Sequence, residues 1–200
     1  MEDILRILPN TFIPLFVATN IFMLLPIFIS ITKEMTKVKR KVVVRDSILT
    51  AIIVSFLFIA LGELIFRILG ITTDDFKIAG GTVLLVFAVR DLVYSGEERL
   101  KPDIKVGVVP IGVPLIVGPA VLTNILLLVD HYGIVPTIIS LILNLLIIWI
   151  SLINAERIIS IVGRGGIIGI AKVMALLLAS IAIMMIRIGV VNIIQHAMKG

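Results

Sequence analysis

Three prolines and two glycines interrupt an apolar segment that is long enough to cross a membrane. Residues 110–121 read PIGVPLIVGPAV and lie within a charge-free run between Lys105 and Asp130. A proline lacks an amide proton, and its ring clashes with the carbonyl one turn earlier. Unpaired backbone groups are tolerated at membrane depth only where protein or a water-filled cavity satisfies them. The pattern therefore indicates a broken helix that lines a cavity; a simple proline kink, common in membrane helices, is the alternative.

A half-helix that begins near Pro119 would form a binding site for an anion. Its first amide groups and the positive end of its dipole would face an anion such as a carboxylate. Hydroxyl and amide side chains one turn further on would add contacts. The candidate substrate-binding residues of this segment are Gly118, Pro119, Ala120, Thr123 and Asn124, and the helix-breaking residues are Pro110 and Pro114.

A second interruption lies near the start of the chain, in LFVATNIFMLLPIF. Thr19 and Asn20 place polar side chains at its centre, and Pro26 is a candidate helix-breaking residue. A buried amide needs a partner, which is either a polar ligand or another helix. Both interpretations of Asn20 stay open: ligand contact and a hydrogen bond that joins two helices.

One carboxylate stands clearly within an apolar run. Glu63 is a candidate for proton coupling, because ionisable groups inside membranes commonly serve in proton relays. Arg67 follows four residues later on the same helix face, so a structural ion pair is the alternative. The chain has no cysteine and two histidines. We therefore expect no catalytic residues, no metal site, no cofactor and no enzymatic activity.

Composition indicates what must position these residues. Of the 200 residues, 60% are hydrophobic and 16% are charged, and the mean hydropathy is +1.21; soluble domains carry about 25% charged residues. The sequence predicts an all-α polytopic membrane protein with a single membrane domain over 1–200. Apolar runs of about 20 residues predict six transmembrane helices. They lie near 11–31, 48–68, 76–95, 107–129, 134–155 and 171–191, and are numbered here as spans 1 to 6.

Basic residues predict the orientation. All but five of the 18 Lys and Arg residues lie in or beside the connections 32–47, 96–106 and 156–170. The five exceptions are Arg6, Arg67, Lys77, Arg187 and Lys199. The positive-inside rule places the richer side in the cytoplasm and both termini outside the cell, in a multi-pass protein of the plasma membrane. Because the positive charge follows topology, nucleic acid is not an expected partner.

An odd number of spans in each half implies that any two repeats are inverted. Lys77 and Lys172 each begin a span rich in small residues and are 95 positions apart. The same offset lays Gly118 on Met23, which makes Met23 a further candidate binding residue. We expect repeats over about 1–95 and 96–200. Inverted repeats with matching broken helices bind substrate near the membrane midplane in many transporters.

These segments together resemble the MarC family of membrane proteins, which includes archaeal neutral amino-acid transporters of the SnatA type. The segment VVPIGVPLIVGPAVLT at 108–123 is similar to the family signature of the fourth span, and FKIAGGTVLLVFAVRDL at 76–92 is similar to the third. The resemblance implies six spans in two inverted repeats, with broken helices 1 and 4 around a small amino acid. The first-span motif departs from the family pattern at Ile21, Met23 and Leu24.

Two classes of function follow. The first is a secondary transporter of small neutral amino acids, such as glycine or alanine, coupled to H⁺ or Na⁺ and working by alternating access. The second is a non-transporting membrane scaffold or partner subunit, or a diverged family member that moves another small solute; the apolar residues Met23 and Leu24 favour it. The lipid bilayer is the expected environment, and the oligomeric state, a homo-oligomer included, stays open.

Overall fold

The computed structural model describes residues 2–32, 35–93 and 116–198. Within these ranges the chain is helical throughout, apart from short turns. The helices are α1 (Glu2–Thr19), α2 (Ile21–Thr32), α3 (Lys37–Leu69), α4 (Thr73–Val93), α5 (Pro119–Tyr132), α6 (Ile134–Ile153) and α7 (Ala155–Ala197). The expected all-α membrane fold is confirmed in this form.

Four helical stretches of the described chain are long and apolar enough to cross a membrane. They are Arg6–Ile29, Lys37–Gly62, Ile134–Ile153 and Gly165–Ala197. The other two predicted spans differ: α4 carries charged residues near both ends, and α5 has only 14 residues. The arrangement of six spans in inverted repeats therefore stays a prediction. Large apolar side chains such as Leu57 and Leu176 are more than half exposed, as lipid contact requires.

Two predicted connections are in fact largely helical. The expected connection 32–47 contains the first turns of α3, which begins at Lys37, and the connection 156–170 lies inside α7. The charged residues of these two segments do not end the helices, because Lys, Arg and Glu are good helix formers. Within α7 the backbone departs from helical geometry at Gly163 (φ 75°, ψ 155°), so two helices meet at a kink there, inside the predicted connection.

Polar contacts join α1 to α6 in the buried interior. The hydroxyl oxygens of Thr11 and Ser140 lie 2.6 Å apart, and both residues are fully buried. The Asn144 side-chain amide donates to the carbonyl of Phe12 at 3.3 Å and to that of Ser140 at 2.9 Å. These hydrogen bonds satisfy polar groups away from water. They also fix α1 against α6, whose contacting residues come 129 and 132 positions later in the chain.

Small residues let α4 approach its neighbours closely. A β-carbon added at Gly81 would lie 2.8 Å from the carbonyl oxygen of Ala182 in α7. One added at Gly80 would overlap the methyl group of Thr123 in α5. The most extensive helix–helix contact of the described chain is between α4 and α7. The glycines of span 3 thus serve close packing, which holds α4 at a fixed depth against α5 and α7.

Candidate functional site at two helix breaks

The first break lies at Asn20, between α1 and α2. Its φ is 40°, and it is the one non-glycine residue with positive φ in the described ranges. Asparagine tolerates this left-handed conformation better than most residues. The Asn20 carbonyl accepts hydrogen bonds from the amides of Met23 (2.9 Å) and Leu24 (3.2 Å), so the residue that ends α1 also starts α2.

The position of this break differs from the expectation for Pro26. Pro26 lies inside α2, which continues through it to Thr32. A proline removes one intrahelical hydrogen bond, whereas a left-handed residue changes the direction of the chain, so Asn20 sets the break. The hydroxyl of Thr19 donates to the carbonyl of Phe16 at 2.9 Å and satisfies a group that the ending helix leaves free. Met23 is partly buried, with an apolar side chain.

Asp91 reaches the first break from α4. The side-chain nitrogen of Asn20 donates to Oδ2 of Asp91 at 3.3 Å, and both residues are buried, with 6% and 8% of their surfaces exposed. Sequence reasoning missed Asp91 and singled out Glu63 instead. The sequence feature that could have pointed to Asp91 is its position inside span 3, directly after Arg90. Glu63 lies on α3, and its side chain is outside the described residues.

The second candidate break lies at Gly118, directly before α5; the residues that precede Ile116 lie outside the described ranges. Ile116 and Val117 are buried, Gly118 is extended (φ −78°, ψ 175°), and α5 begins at Pro119. The residue in the capping position, Gly118, has no side chain that could cap α5. Pro110 and Pro114 lie outside the described residues. The positive end of a 14-residue helix therefore begins among buried apolar residues.

Three of the predicted binding residues follow along α5. Ala120, Thr123 and Asn124 are buried, with 3–8% of their surfaces exposed. The Thr123 methyl group packs over Gly80. Helical side chains tilt toward the helix N-terminus, so the Asn124 amide lies over Ala120, one turn closer to the break. The structure brings α5 into contact with α1, which ends at the first break, and with α4, which carries Asp91.

The two breaks carry buried amide atoms of opposite polarity. Oδ1 of Asn20, an acceptor, and Nδ2 of Asn124, a donor, have no hydrogen-bond partner in the part of the chain that the structure describes. Three other buried side-chain atoms share this state, on Arg40, Ser55 and Asn144. Of these five atoms, the one on Asn20 lies at the first break, and the one on Asn124 lies in α5, six residues after Gly118. An unsatisfied buried polar group costs about 1–3 kcal/mol, so both atoms are suited to a ligand.

A separate polar network joins α4, α5 and α7 near the N-terminus of α4. The Lys77 ammonium lies 3.0 Å from Oδ1 of Asp74 and 3.8 Å from Oδ2 of Asp130, and Asn192 donates to Asp74 at 2.9 Å. Burial raises the pKa of Asp74, but the hydrogen bonds from Asn192 and Lys77 and the charge of Lys77 outweigh it. The pKa of Asp74 is therefore lowered.

A family model decides the identity of the chain. The model for the MarC family of integral membrane proteins matches residues 5–194. The chain belongs to the MarC family. No solved structure matches this MarC protein.

Relatives of this MarC protein occur in archaea and bacteria. It is 30% identical over 193 residues to the UPF0056 membrane protein MJ1677 of Methanocaldococcus jannaschii, covering 90% of this chain and 93% of the relative. It is 30% identical over 199 residues to the UPF0056 membrane protein PYRAB13050 of Pyrococcus abyssi, covering 95% and 97%. It is 26% identical over 185 residues to the UPF0056 inner membrane protein YhgN of Escherichia coli K12, covering 88% and 90%.

Proposed function

We propose that this MarC protein is a secondary transporter of small neutral amino acids such as glycine and alanine. One observation carries the proposal: among the described residues, the buried amide atoms that have no partner include an acceptor, Oδ1 of Asn20 at the first break, and a donor, Nδ2 of Asn124 in α5. A free amino acid carries a donor group and an acceptor group of opposite charge. Burial of such a molecule requires hydrogen-bond partners for both groups, because an unpaired charge is costly away from water.

The carboxylate end of the substrate binds at the start of α5. Pro119 has no amide proton, and the amides of Val121 and Leu122 donate to the carbonyl of Gly118 at 3.0 and 3.1 Å. The donor of the first turn that faces the substrate is therefore the Ala120 amide, assisted by the positive end of the helix dipole, and Gly118 has no side chain to compete with the carboxylate. Nδ2 of Asn124 adds a donor one turn into the helix. Together these groups form a neutral donor site that attracts a carboxylate without a permanent positive charge.

Buried apolar residues beside both breaks favour a small apolar substrate side chain. Ile21 and Leu24 follow the first break, and Ile116 and Val117 precede the second; each is at most 3% exposed. A charged substrate side chain would have to be desolvated against these residues. Glycine and alanine avoid that cost.

Transport requires movement, because the substrate must reach the site from one side of the membrane and leave it on the other. We infer alternating access, in which inverted repeats over about 1–95 and 96–200 rock about the two breaks. H⁺ or Na⁺ provides the driving force, and Glu63 remains a candidate for proton coupling. In this proposal the protein lies in the plasma membrane with both termini outside, as its basic residues predict.

Uptake of labelled alanine into proteoliposomes, under imposed H⁺ or Na⁺ gradients, tests the proposal. We expect Asn124→Leu to reduce alanine affinity about 10- to 100-fold, since hydrogen bonds to charged groups contribute about 1.5–3 kcal/mol. Stability should be unchanged or higher, because the substitution removes an unpartnered donor and keeps the number of heavy atoms.

Asn144→Leu is the matched control. Asn144 is buried to the same degree, but its Nδ2 donates to two carbonyls within the protein. This variant should lose stability, because it leaves the carbonyl of Phe12 without that donor. Absence of uptake for every amino acid under all gradients would refute transport, and full uptake by Asn124→Leu would refute this site.

A non-transporting scaffold or partner subunit is the second candidate. The observation that favours it is the apolar packing directly after the first break, where Leu24 is buried in the core and Met23 partly so. A stable protein that neither binds nor moves any amino acid would support this function. Uptake of a different small solute would instead indicate a diverged transporter.

A further inference from the structure

The contact between Asn20 and Asp91 fixes which way the Asn20 amide points. Amide oxygen and nitrogen are assigned from the hydrogen-bond network. A carboxylate accepts hydrogen bonds, so the nitrogen of Asn20 must face Oδ2 of Asp91, as observed at 3.3 Å. The unpartnered atom of Asn20 is therefore its oxygen, and it stands beside a buried carboxylate.

These two groups suit a cation with several N–H donors. A protonated amine has three such donors and no acceptor. One ammonium group can therefore donate to Oδ1 of Asn20 and to the carboxylate of Asp91 at the same time, since the two side chains are already in contact. The charge of Asp91 adds electrostatic attraction, which is strong in a buried site.

The depth of Asp91 along α4 matches a ligand that reaches the start of α5. Lys77 contacts Asp130 and Gly80 contacts Thr123, so α4 and α5 run antiparallel. Continued at about 1.5 Å per residue, the Gly80–Thr123 contact places Gly118 about level with residue 85 of α4, and the Lys77–Asp130 contact places it about level with residue 89. Asp91 is then about 3–9 Å further along the helix. Two hydrogen bonds of about 2.8 Å, with a small amino acid between them, cover this separation.

We propose that Asp91 and Asn20 form the subsite for the substrate's ammonium group. The inference rests on the proposed amino-acid transport and assigns a specificity role to a residue that the sequence did not single out. It implies that a molecule with the carboxylate but without the ammonium group binds far more weakly. It also distinguishes the two helix breaks by charge: the break at Gly118 takes the carboxylate, and the break at Asn20 takes the ammonium group.

Binding of L-alanine and of propionate to the purified full-length protein, in detergent, tests this assignment. Propionate has the carboxylate of alanine but no ammonium group. We expect Asp91→Asn to weaken alanine binding at least 10-fold and to leave the weak binding of propionate unchanged. Asp46→Asn is the matched control, because Asp46 is an exposed carboxylate on α3 that pairs with Arg45; it should change neither ligand.

A second variant keeps the test independent of the folding of Asp91→Asn. Asn20→Gly removes the amide and retains a residue that accepts a φ of 40°. It should also weaken alanine binding and not propionate binding. Melting temperatures of all variants verify that each is folded.

Four outcomes would overturn the assignment. Wild-type affinity for alanine in both variants would remove these residues from the site. Equal loss of alanine and propionate binding would show a structural role only. Intact alanine binding with loss of concentrative uptake in Asp91→Asn would make Asp91 a coupling residue instead. If the wild-type protein binds and transports no amino acid, the proposed function fails and this subsite fails with it.

Discussion

The close approach of α4 and α7 gives a quantitative prediction for Gly81→Ala. An added β-carbon would lie 2.8 Å from the carbonyl oxygen of Ala182, 2.8 Å from Cγ1 of Ile186 and 3.2 Å from the backbone nitrogen of Ile186. Two of these three atoms belong to the backbone of α7 and cannot rotate away. The helices must therefore separate by several tenths of an ångström along their most extensive interface.

The expected loss of stability follows from two opposing effects. Overpacking a well-packed interface costs about 1–3 kcal/mol, and rigid backbone neighbours place this contact near the upper end. Alanine is a better helix former than glycine by about 1 kcal/mol. The net loss is about 2 kcal/mol. For a chain of this size, that corresponds to a fall in melting temperature of roughly 4–8 °C.

Gly169→Ala is the matched control on α7. A β-carbon at Gly169 meets no atom within 4 Å. The same chemical change should therefore leave stability unchanged or raise it by up to about 1 kcal/mol. Unfolding of both variants in mixed SDS micelles, followed by circular dichroism, measures the difference. Equal stability of the two variants would contradict the packing argument, and with it the fixed depth of Asp91 on α4.

The polar network at the start of α4 gives two further predictions. Lys77→Met should reduce the unfolding free energy by about 2 kcal/mol, because it leaves the largely buried carboxylate of Asp74 without its ammonium partner. Unfolding in mixed SDS micelles measures this loss. The control is Arg45→Met, which breaks an exposed ion pair and should change the unfolding free energy by no more than about 0.5 kcal/mol. The second prediction concerns the loss of stability at low pH. Since the pKa of Asp74 is lowered from 3.8 in the folded protein, the unfolded chain binds the proton more readily, so the stabilisation is complete above pH 3.8 and is lost as the pH falls toward the lowered pKa. Melting temperatures measured from pH 6 to pH 3 should fall less for Asp74→Asn than for the wild type, and parallel curves would contradict the role of Asp74.

The sequence predicts well that a helix begins at Pro119, because glycine and proline act on the backbone itself. It predicts the region of the first break but not the residue. Pro26 suggests an interruption, yet the chain turns at Asn20, whose left-handed conformation depends on its surroundings. Backbone preferences alone do not separate these two residues.

Asp91 and the network around Lys77 could not be predicted in the same way. Both depend on which helices become neighbours, and Asn192 is 118 residues from the carboxylate that it contacts. Asp91 lies near the end of a predicted span beside Arg90, where a charged residue ordinarily faces the lipid headgroups. Helix boundaries at Lys37 and Ala155 were also missed, since charge indicates where the membrane ends and not where a helix ends.

The hydrogen bonds between α1 and α6 affect the order of assembly during synthesis. Thr11 is separated from Ser140 by 129 residues, so the first helix made acquires its polar partner only after most of the chain has been inserted. Until then the Thr11 hydroxyl donates to a local acceptor, the carbonyl of Leu8 at 3.1 Å, so its hydrogen bond is satisfied in the membrane before α6 is inserted. The N-terminal half is thus unable to complete its interior alone. Final folding of this protein is an event of the whole chain, in which the earliest helix is among the last to be fixed.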